Sequence, residues 1–268
     1  MGDRPPQLKP PAKPPSSPRS KKLRLDALLV ERGLAASRDR ARALILAGQV
    51  VVDGRAETKA GTAVGSDANV SLLAPDHPYV SRGGLKLAHA LDAFRIDPAG
   101  RIALDVGAST GGFTDVLLRR GAARVVALDV GHGQLDWRLR TDPRVVVREH
   151  VNARTLTAAD LPEDCQRFSI VTVDVSFISL RQILPALRPF GEPGADLVVL
   201  VKPQFEAGRG EVGRGGIVRD PGVRARVVED VADAAVALGW TRQGGTPSPI
   251  TGMEGNEESL LHLKWPYA

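Results

Sequence analysis

The 268-residue chain has a single cysteine, Cys165. That excludes an intramolecular disulfide and any metal cluster built on several thiolates, and no metal is expected. No uninterrupted apolar stretch reaches the length of about 18 residues that a membrane-spanning helix needs. Before Lys22 there is positive charge but no apolar run of the secretory kind. A soluble, cytoplasmic protein without membrane contact is the expectation.

Basic excess is also missing from most of the chain. The net charge is +5, yet Arg4, Lys9, Lys13, Arg19, Lys21 and Lys22 against the one acid Asp3 account for all of it. These residues lie in a Pro-rich segment, 1–22, too poor in apolar surface to offset the entropy of ordering it, so a disordered basic tail is expected there. What remains is ordinary globular material: 43% of residues are hydrophobic and 25% charged, enough to build a real core.

From Leu23 the pattern turns helical. Leu25, Leu28 and Leu29 share a face, Gly33 stops the helix, and Ser37 caps a second one whose Ala41, Leu44 and Ile45 form a stripe ending at Gly48. Val50-Val51-Val52 then meets the turn signal Asp53-Gly54, and Asn69–Leu73 reads as another short strand. The polar helix face carries Arg24, Arg32, Arg38, Arg40 and Arg42. Scattered arginines are usually a solvated face; the alternate spacing of 38, 40 and 42 also suits a grip on phosphates. The run Lys22–Arg42 followed by Ile45–Gly54 resembles an S4-type RNA-binding domain, here 23–76. The resemblance implies RNA contacts for Arg24, Arg38, Arg40 and Arg42.

After a polar connector with a linker at 77–80, apolar runs at Ile102–Val106, Arg124–Val130, Val145–Val147, Ile170–Val175 and Leu197–Val201 alternate with helical stretches near 113–120, 179–188 and 222–238. Strands alternating with helices predict an α/β fold over 81–268, a doubly wound and mostly parallel sheet, behind a small N-terminal α+β domain. The segments around Arg242 and Ser259–Trp265 read as added antiparallel edge strands.

The most informative stretch is Ile102–Thr114, where a buried strand runs into a Gly/Ser-rich turn that opens a helix near Phe113. Such a turn at the carboxyl end of the first strand is where open α/β sheets bind ligands. Its spacing is Gly-x-x-x-Gly-Gly over Gly107, Gly111 and Gly112, unlike the Gly-x-Gly-x-x-Gly of dinucleotide enzymes, and it lacks the Gly-Lys-Ser/Thr of triphosphate loops. Asp105 before the loop suits a positively charged ligand group. Asp129, closing the next strand, can accept from both hydroxyls of a ribose. Together they suit a sulfonium nucleoside with an amino-acid tail.

Two further groups end buried strands: Asp174 in Ile170–Ser179 and Lys202 in Val198–Glu206. A lysine at that position is not there for packing. Lys86 lies in Ser81-Arg-Gly-Gly-Leu-Lys-Leu and Glu258 in Gly255-Asn-Glu-Glu-Ser-Leu; taken singly, either reads as a surface charge.

With the segments Ser81–Leu87, Asp105–Thr114, Asp129–Leu135, Asp174–Ser179 and Leu200–Glu206, the chain from Leu23 to about Trp265 resembles the TlyA family, also labelled haemolysin A. Its members join an S4-type domain to an FtsJ-like methyltransferase domain. The resemblance implies S-adenosyl-L-methionine as cofactor, held by Asp105, Gly107, Ala108, Ser109, Gly111, Gly112, Phe113, Asp129, Val130, Asn152 and Asp174. It also implies a catalytic tetrad of Lys86, Asp174, Lys202 and Glu258, with Glu257 adjacent to the last, and RNA contact at Arg82. Lys202 is then the base for a ribose 2′-hydroxyl, with the charge of Lys86 and burial favouring its neutral form.

The expected substrate is a cytidine of ribosomal RNA, free or in subunits. One form of the family acts on both subunits and a shorter form on the large one. This chain stops at Ala268, without the helical extension of longer members, which points to the 23S RNA first, with the 16S RNA kept as an additional target. The competing expectation is an RNA-binding protein of ribosome assembly with an inactive methyltransferase fold. A nucleotide-dependent oxidoreductase is disfavoured by the glycine spacing, and a pore-forming haemolysin by the missing membrane segments.

Overall fold

A computed structural model describes residues 21–35, 37–46, 48–73 and 77–266. The tail expected at 1–22 falls almost wholly outside the described residues, as does Ala74-Pro75-Asp76. The chain divides into two compact units between residues 76 and 77.

The first unit runs β1 (Lys22–Arg24), α1 (Leu25–Glu31), α2 (Arg38–Leu46), β2 (Val50–Val52), β3 (Arg55–Glu57), β4 (Ala63–Gly65) and β5 (Val70–Leu72). Helix does not begin at Leu23, as the apolar pattern predicts. Leu23 is in a strand, paired antiparallel with Val64, because the ladder takes its backbone before the helix opens. Ser37 does cap α2, its Oγ accepting the N–H of Arg40 at 3.2 Å. Asp53 and Gly54, at φ 48° and 81°, make the tight turn of the β2–β3 hairpin. Leu25, Leu28, Leu29, Ala41, Leu44, Ile45, Val50, Val64 and Val70 form one core.

The second unit is built on α3 (Gly83–Phe94), β6 (Ile102–Val106), α4 (Gly112–Arg119), β7 (Arg124–Leu128), α5 (Trp137–Arg140), β8 (Val145–Arg148), β9 (Phe168–Val173), α6 (Leu180–Leu187), β10 (Gly191–Val201), α7 (Pro203–Glu206), α8 (Pro221–Ala237), β11 (Thr241–Pro247) and β12 (Ser259–Lys264). Seven strands lie in the order β11-β12-β10-β9-β6-β7-β8. Pairings from β10 through β8 are parallel, and β12 and β11 add the antiparallel edge. Successive side chains of a strand face opposite ways. Leu104 and Val106 therefore join a core beneath α6 and α8, while Ala103 joins another beneath α3 and α4. Tyr79 and Val80, in the expected linker, pack against that second core. No helix of the described residues is long and apolar enough to cross a membrane.

Chain order reverses at β6, whose neighbours are β7 and β9. The crevice outside the carboxyl ends of such strands is where open α/β sheets place ligands.

Candidate active site

The loop after β6 and the end of β9 meet at this crevice. Gly107 has φ 83°, and a Cβ there would collide with the carbonyl of Asp174, so the position admits glycine alone. Gly112, the first residue of α4, has no room for a side chain either, because Ser81 Oγ and the backbone of Gly83 and Gly84 lie against it. The Ser81-Arg82-Gly83-Gly84 turn thus docks onto the glycine loop. Asp115 fixes it by accepting the N–H of Val80 at 2.9 Å. The docked turn leads straight into α3, where the sequence announced no helix; Leu87, Ala88, Ala90 and Leu91 anchor the helix in the core, and Arg82 stands at its N-cap.

Asp105 is fully buried. Its two oxygens accept the hydroxyls of Thr114, at 2.7 Å, and Thr172, at 2.9 Å. Burial pushes its carboxyl up to about 6, against the pull of those two hydroxyls. Its carboxylate braces β6, β9 and α4 from within, and no atom of it reaches the surface. Phe113 is likewise core, 3% exposed.

Asp129 faces the loop. Its oxygens accept the N–H groups of Ser109 and Gly131, each at 2.7 Å. With Ala108, Ser109, Gly131, Gln134 and Glu149 it lines a small cavity. Val130 beside it is exposed, and Asn152 caps a short turn by accepting the N–H of Arg154 at 3.0 Å. The geometry fits a nucleoside with a charged tail: a carboxylate lining the cavity, glycines where backbone must approach closely, and a helix N-terminus behind them.

The four candidate reacting groups come together as two ion pairs. Lys202 Nζ lies 2.6 Å from Asp174 Oδ1, and it donates its aligned hydrogen bond to Ser176 Oγ at 2.9 Å. Oδ1 of Asp174 therefore feels the charge of Lys202 without a well-directed hydrogen bond from it. Lys86, on the first turns of α3, donates to Glu258 Oε2 at 2.5 Å, and both side chains are buried. Register puts the pairs at one edge, since Val201 faces Ser259 across the β10–β12 ladder. The structure also separates the adjacent acids. Glu257 points outward to Arg224 at 3.0 Å, leaving Glu258 as the inner one. Because Glu258 balances Lys86, the positive field expected from Lys86 on Lys202 is largely cancelled; the tetrad is two neutral pairs.

Three supports escaped sequence reasoning. Ser176 holds Lys202. Glu206, buried in α7, accepts Ser179 Oγ at 2.5 Å and the Leu180 N–H at 2.6 Å, tying the Asp174–Leu180 segment to the one that follows Lys202. Burial pushes the Glu206 carboxyl up, against these hydrogen bonds. Asn256, fully buried, accepts the Val218 N–H at 2.9 Å and donates to the Gly216 carbonyl at 2.8 Å, joining the loop after α7 to the approach of Glu258. Both Glu206 and Asn256 lie inside sequence segments that carry candidate groups, and that was their only signal. A larger cleft lined by Arg224, Arg242, Thr246, Ser248 and Glu257 reaches Glu258 from the β11 side.

In the first unit, Arg24, Arg38 and Arg42 gather on the side chain of Asp26. Arg32, counted with that face in the sequence, instead donates to the carbonyls of Ala68 and Ser66, at 2.7 and 2.8 Å.

Comparison with known proteins agrees with this architecture. The FtsJ-like methyltransferase family matches residues 79–265 and the S4 domain matches 23–70. The chain is 52% identical over 246 residues, 91% of each protein, to the Mycobacterium tuberculosis 16S/23S rRNA (cytidine-2′-O)-methyltransferase TlyA. It is 35% identical over 185 residues, 69% of this chain and 70% of the relative, to the Campylobacter jejuni 23S rRNA (cytidine-2′-O)-methyltransferase TlyA. A solved Streptococcus thermophilus protein that carries a hemolysin name superposes with a TM-score of 0.72 at 44% identity, over 91% of this chain and 89% of that one. Fold, site and relatives converge: the chain is a methyltransferase of the FtsJ-like family, in its TlyA branch, with an S4 domain ahead of the methyltransferase fold.

Proposed function

We propose that this enzyme methylates the ribose 2′-hydroxyl of a cytidine in 23S ribosomal RNA, with S-adenosyl-L-methionine as donor. The observation that carries the reading is the pair of lysine–carboxylate contacts, Lys202–Asp174 and Lys86–Glu258, at the sheet edge that also bears the glycine loop. The large-subunit RNA is the substrate common to the names of both relatives above, and the enzyme meets it in the cytoplasm.

Bound S-adenosylmethionine supplies an electrophilic methyl group on a sulfonium. Asp129 holds the ribose of the cofactor, with Val130 and Asn152 beside the nucleoside. The turn from Gly107 through Ser109 to Gly112 takes the amino-acid tail. Asp105 acts through Thr114 and Thr172, keeping that turn in place.

At the reacting end, Lys202, once its own proton has been released to solvent, meets the substrate hydroxyl and takes up its proton as that oxygen is methylated. Asp174, 2.6 Å away, balances the charge that Lys202 gains, and Ser176 keeps the amine aimed. Lys86 and Glu258, at the same sheet edge, orient the ribose. Alignment for in-line displacement is the main source of acceleration, since no covalent intermediate is required. The S4 domain, through Arg24, Arg38, Arg40 and Arg42, grips structured RNA by its phosphates, and Arg82 adds a contact at the methyltransferase domain.

The test is site mapping. Ribosomal RNA from cells with and without the protein is scanned for ribose methylation, and the purified enzyme is then supplied with unmodified subunits. The reading requires one cofactor-dependent cytidine methylation in 23S RNA. RNA binding without any methyl transfer would favour the inactive assembly factor instead, and methylation confined to 16S RNA would overturn the choice of subunit.

A further inference from the structure

Asp26 stands out as an acid sealed inside an otherwise basic face. It sits in the first turn of α1 among Leu25, Leu28 and Leu29, and its side chain has no exposed surface. What covers it is three guanidinium groups from two elements. Arg24, at the end of β1, binds both oxygens, Nε at 3.0 Å and Nη2 at 2.9 Å. Arg38 spans both oxygens with Nη2 at 3.3 and 3.2 Å. Arg42, one turn further along α2, reaches Oδ2 with Nε at 3.3 Å. The contact with Arg24, above all, holds the Asp26 carboxyl well below the usual carboxylate range.

We propose that Asp26 is the positioning residue of the RNA-binding face, a buried anionic hub that sets the spacing and direction of the guanidinium groups of Arg24, Arg38 and Arg42 for an RNA backbone. This deepens the reading of the S4 domain as the RNA grip and rests on it. Three cations brought together repel one another, and each long side chain has many rotamers to lose on binding. A carboxylate at their centre removes both obstacles before RNA arrives. Each guanidinium has five N–H donors, and Asp26 engages only some of them. The three side chains stay about half exposed, at 53%, 52% and 48%, so the remaining donors face solvent. Arg42 also reaches the exposed Asp39 carboxylate at 3.4 Å, so one positive charge remains in excess at the hub. This geometry suits adjacent phosphates of a folded RNA better than any single phosphate.

The proposal inverts what charge counting expects. Asp26→Asn makes the domain one unit more positive, so a face acting by charge alone binds every RNA more tightly. A positioned face loses its fixed geometry and binds the ribosomal target more weakly. The experiment uses the full chain and compares Asp26→Asn with wild type on 23S ribosomal RNA and on an unrelated structured RNA of equal length, across a salt series, with thermal melts alongside. The preference for ribosomal RNA should fall by roughly tenfold, about what one charge-assisted contact is worth. S-adenosylmethionine affinity should be unchanged. If the variant melts early, Arg24→Lys keeps every charge but cannot fork onto the carboxylate, and it should show the same loss. Unchanged preference, or tighter binding to both RNAs, overturns the proposal. Simultaneous alanines at Arg24, Arg38 and Arg42 separate the two levels. If they leave RNA binding intact, the S4 domain is not the grip; if they abolish it while Asp26→Asn does nothing, only the hub is wrong.

Discussion

Lys86 and Glu258, 172 positions apart in the chain, meet in a buried ion pair at 2.5 Å. Removing one member of a buried pair strands the other charge, at a cost of about 3–5 kcal/mol. Glu258→Ala should therefore lower the denaturation midpoint strongly and abolish methyl transfer. Glu257→Ala, which removes only an exposed contact to Arg224, should change stability by less than about 1 kcal/mol and keep activity. Urea titration and methyl transfer on both variants check this; similar losses in the two would sink the assignment of the inner acid.

Lys202→Ala should cut turnover by roughly 10²–10⁴-fold, the usual weight of a proton-transfer group. Binding of S-adenosylmethionine, measured by calorimetry, should persist, because Lys202 reaches toward Ser176 and Asp174 and takes no part in the glycine loop. A variant turning over near the wild-type rate removes Lys202 from the mechanism.

Asp129→Ala is the complementary case. It deletes the proposed ribose acceptor and also releases the Ser109 and Gly131 N–H groups. The cofactor dissociation constant should rise by about tenfold or more, since a charge-assisted contact is worth roughly 1.5–3 kcal/mol. Unchanged calorimetric affinity would place the ribose elsewhere.

Asp105 predicts a pH dependence of stability. Its folded value, about 6, lies above the ordinary 3.8. Between those values the unfolded chain loses this proton while the folded chain keeps it. The contribution to stability is thus full below about pH 4, falls as pH rises toward 6, and stays level above. The span corresponds to about 3 kcal/mol. Asp105→Asn keeps a hydrogen-bonding partner for Thr114 and Thr172 without the buried charge. Denaturant titrations from pH 4 to 7 should show this slope in the wild type and a flatter profile, with higher stability at pH 7, in the variant. Parallel slopes in the two proteins would exclude Asp105 as the source.

Periodicity and turn chemistry made most of the fold legible before any coordinates. The run Ile102–Val106 became β6 without shift, and the late pair near Arg242 and Ser259 became the antiparallel edge. Two errors have physical causes. Leu23 looked helical because its apolar neighbours continue the stripe of α1, but pairing with Val64 claimed its backbone. Helix α3 was invisible because it opens on two glycines that look like breakers; Gly84 is needed for the close approach of Tyr79, whereas a side chain at Gly83 would meet its neighbours at ordinary contact distance. The same limit holds at the site. Residue type and strand-end position pointed to Asp174 and Lys202, and family resemblance added Lys86 and Glu258. No local pattern could show that these form two neutral pairs, or that Asp26 lies beneath the arginines, because each contact joins distant elements.

Asn256 bonds to both Gly216 and Val218, and two residues later the chain reaches Glu258. The loop that leaves Lys202 and the strand that delivers Glu258 are thereby geared together. A change of shape at residues 216–218 is carried through Asn256 to the segment that holds Glu258 against Lys86. The loop cannot be redesigned without also resetting the buried pair.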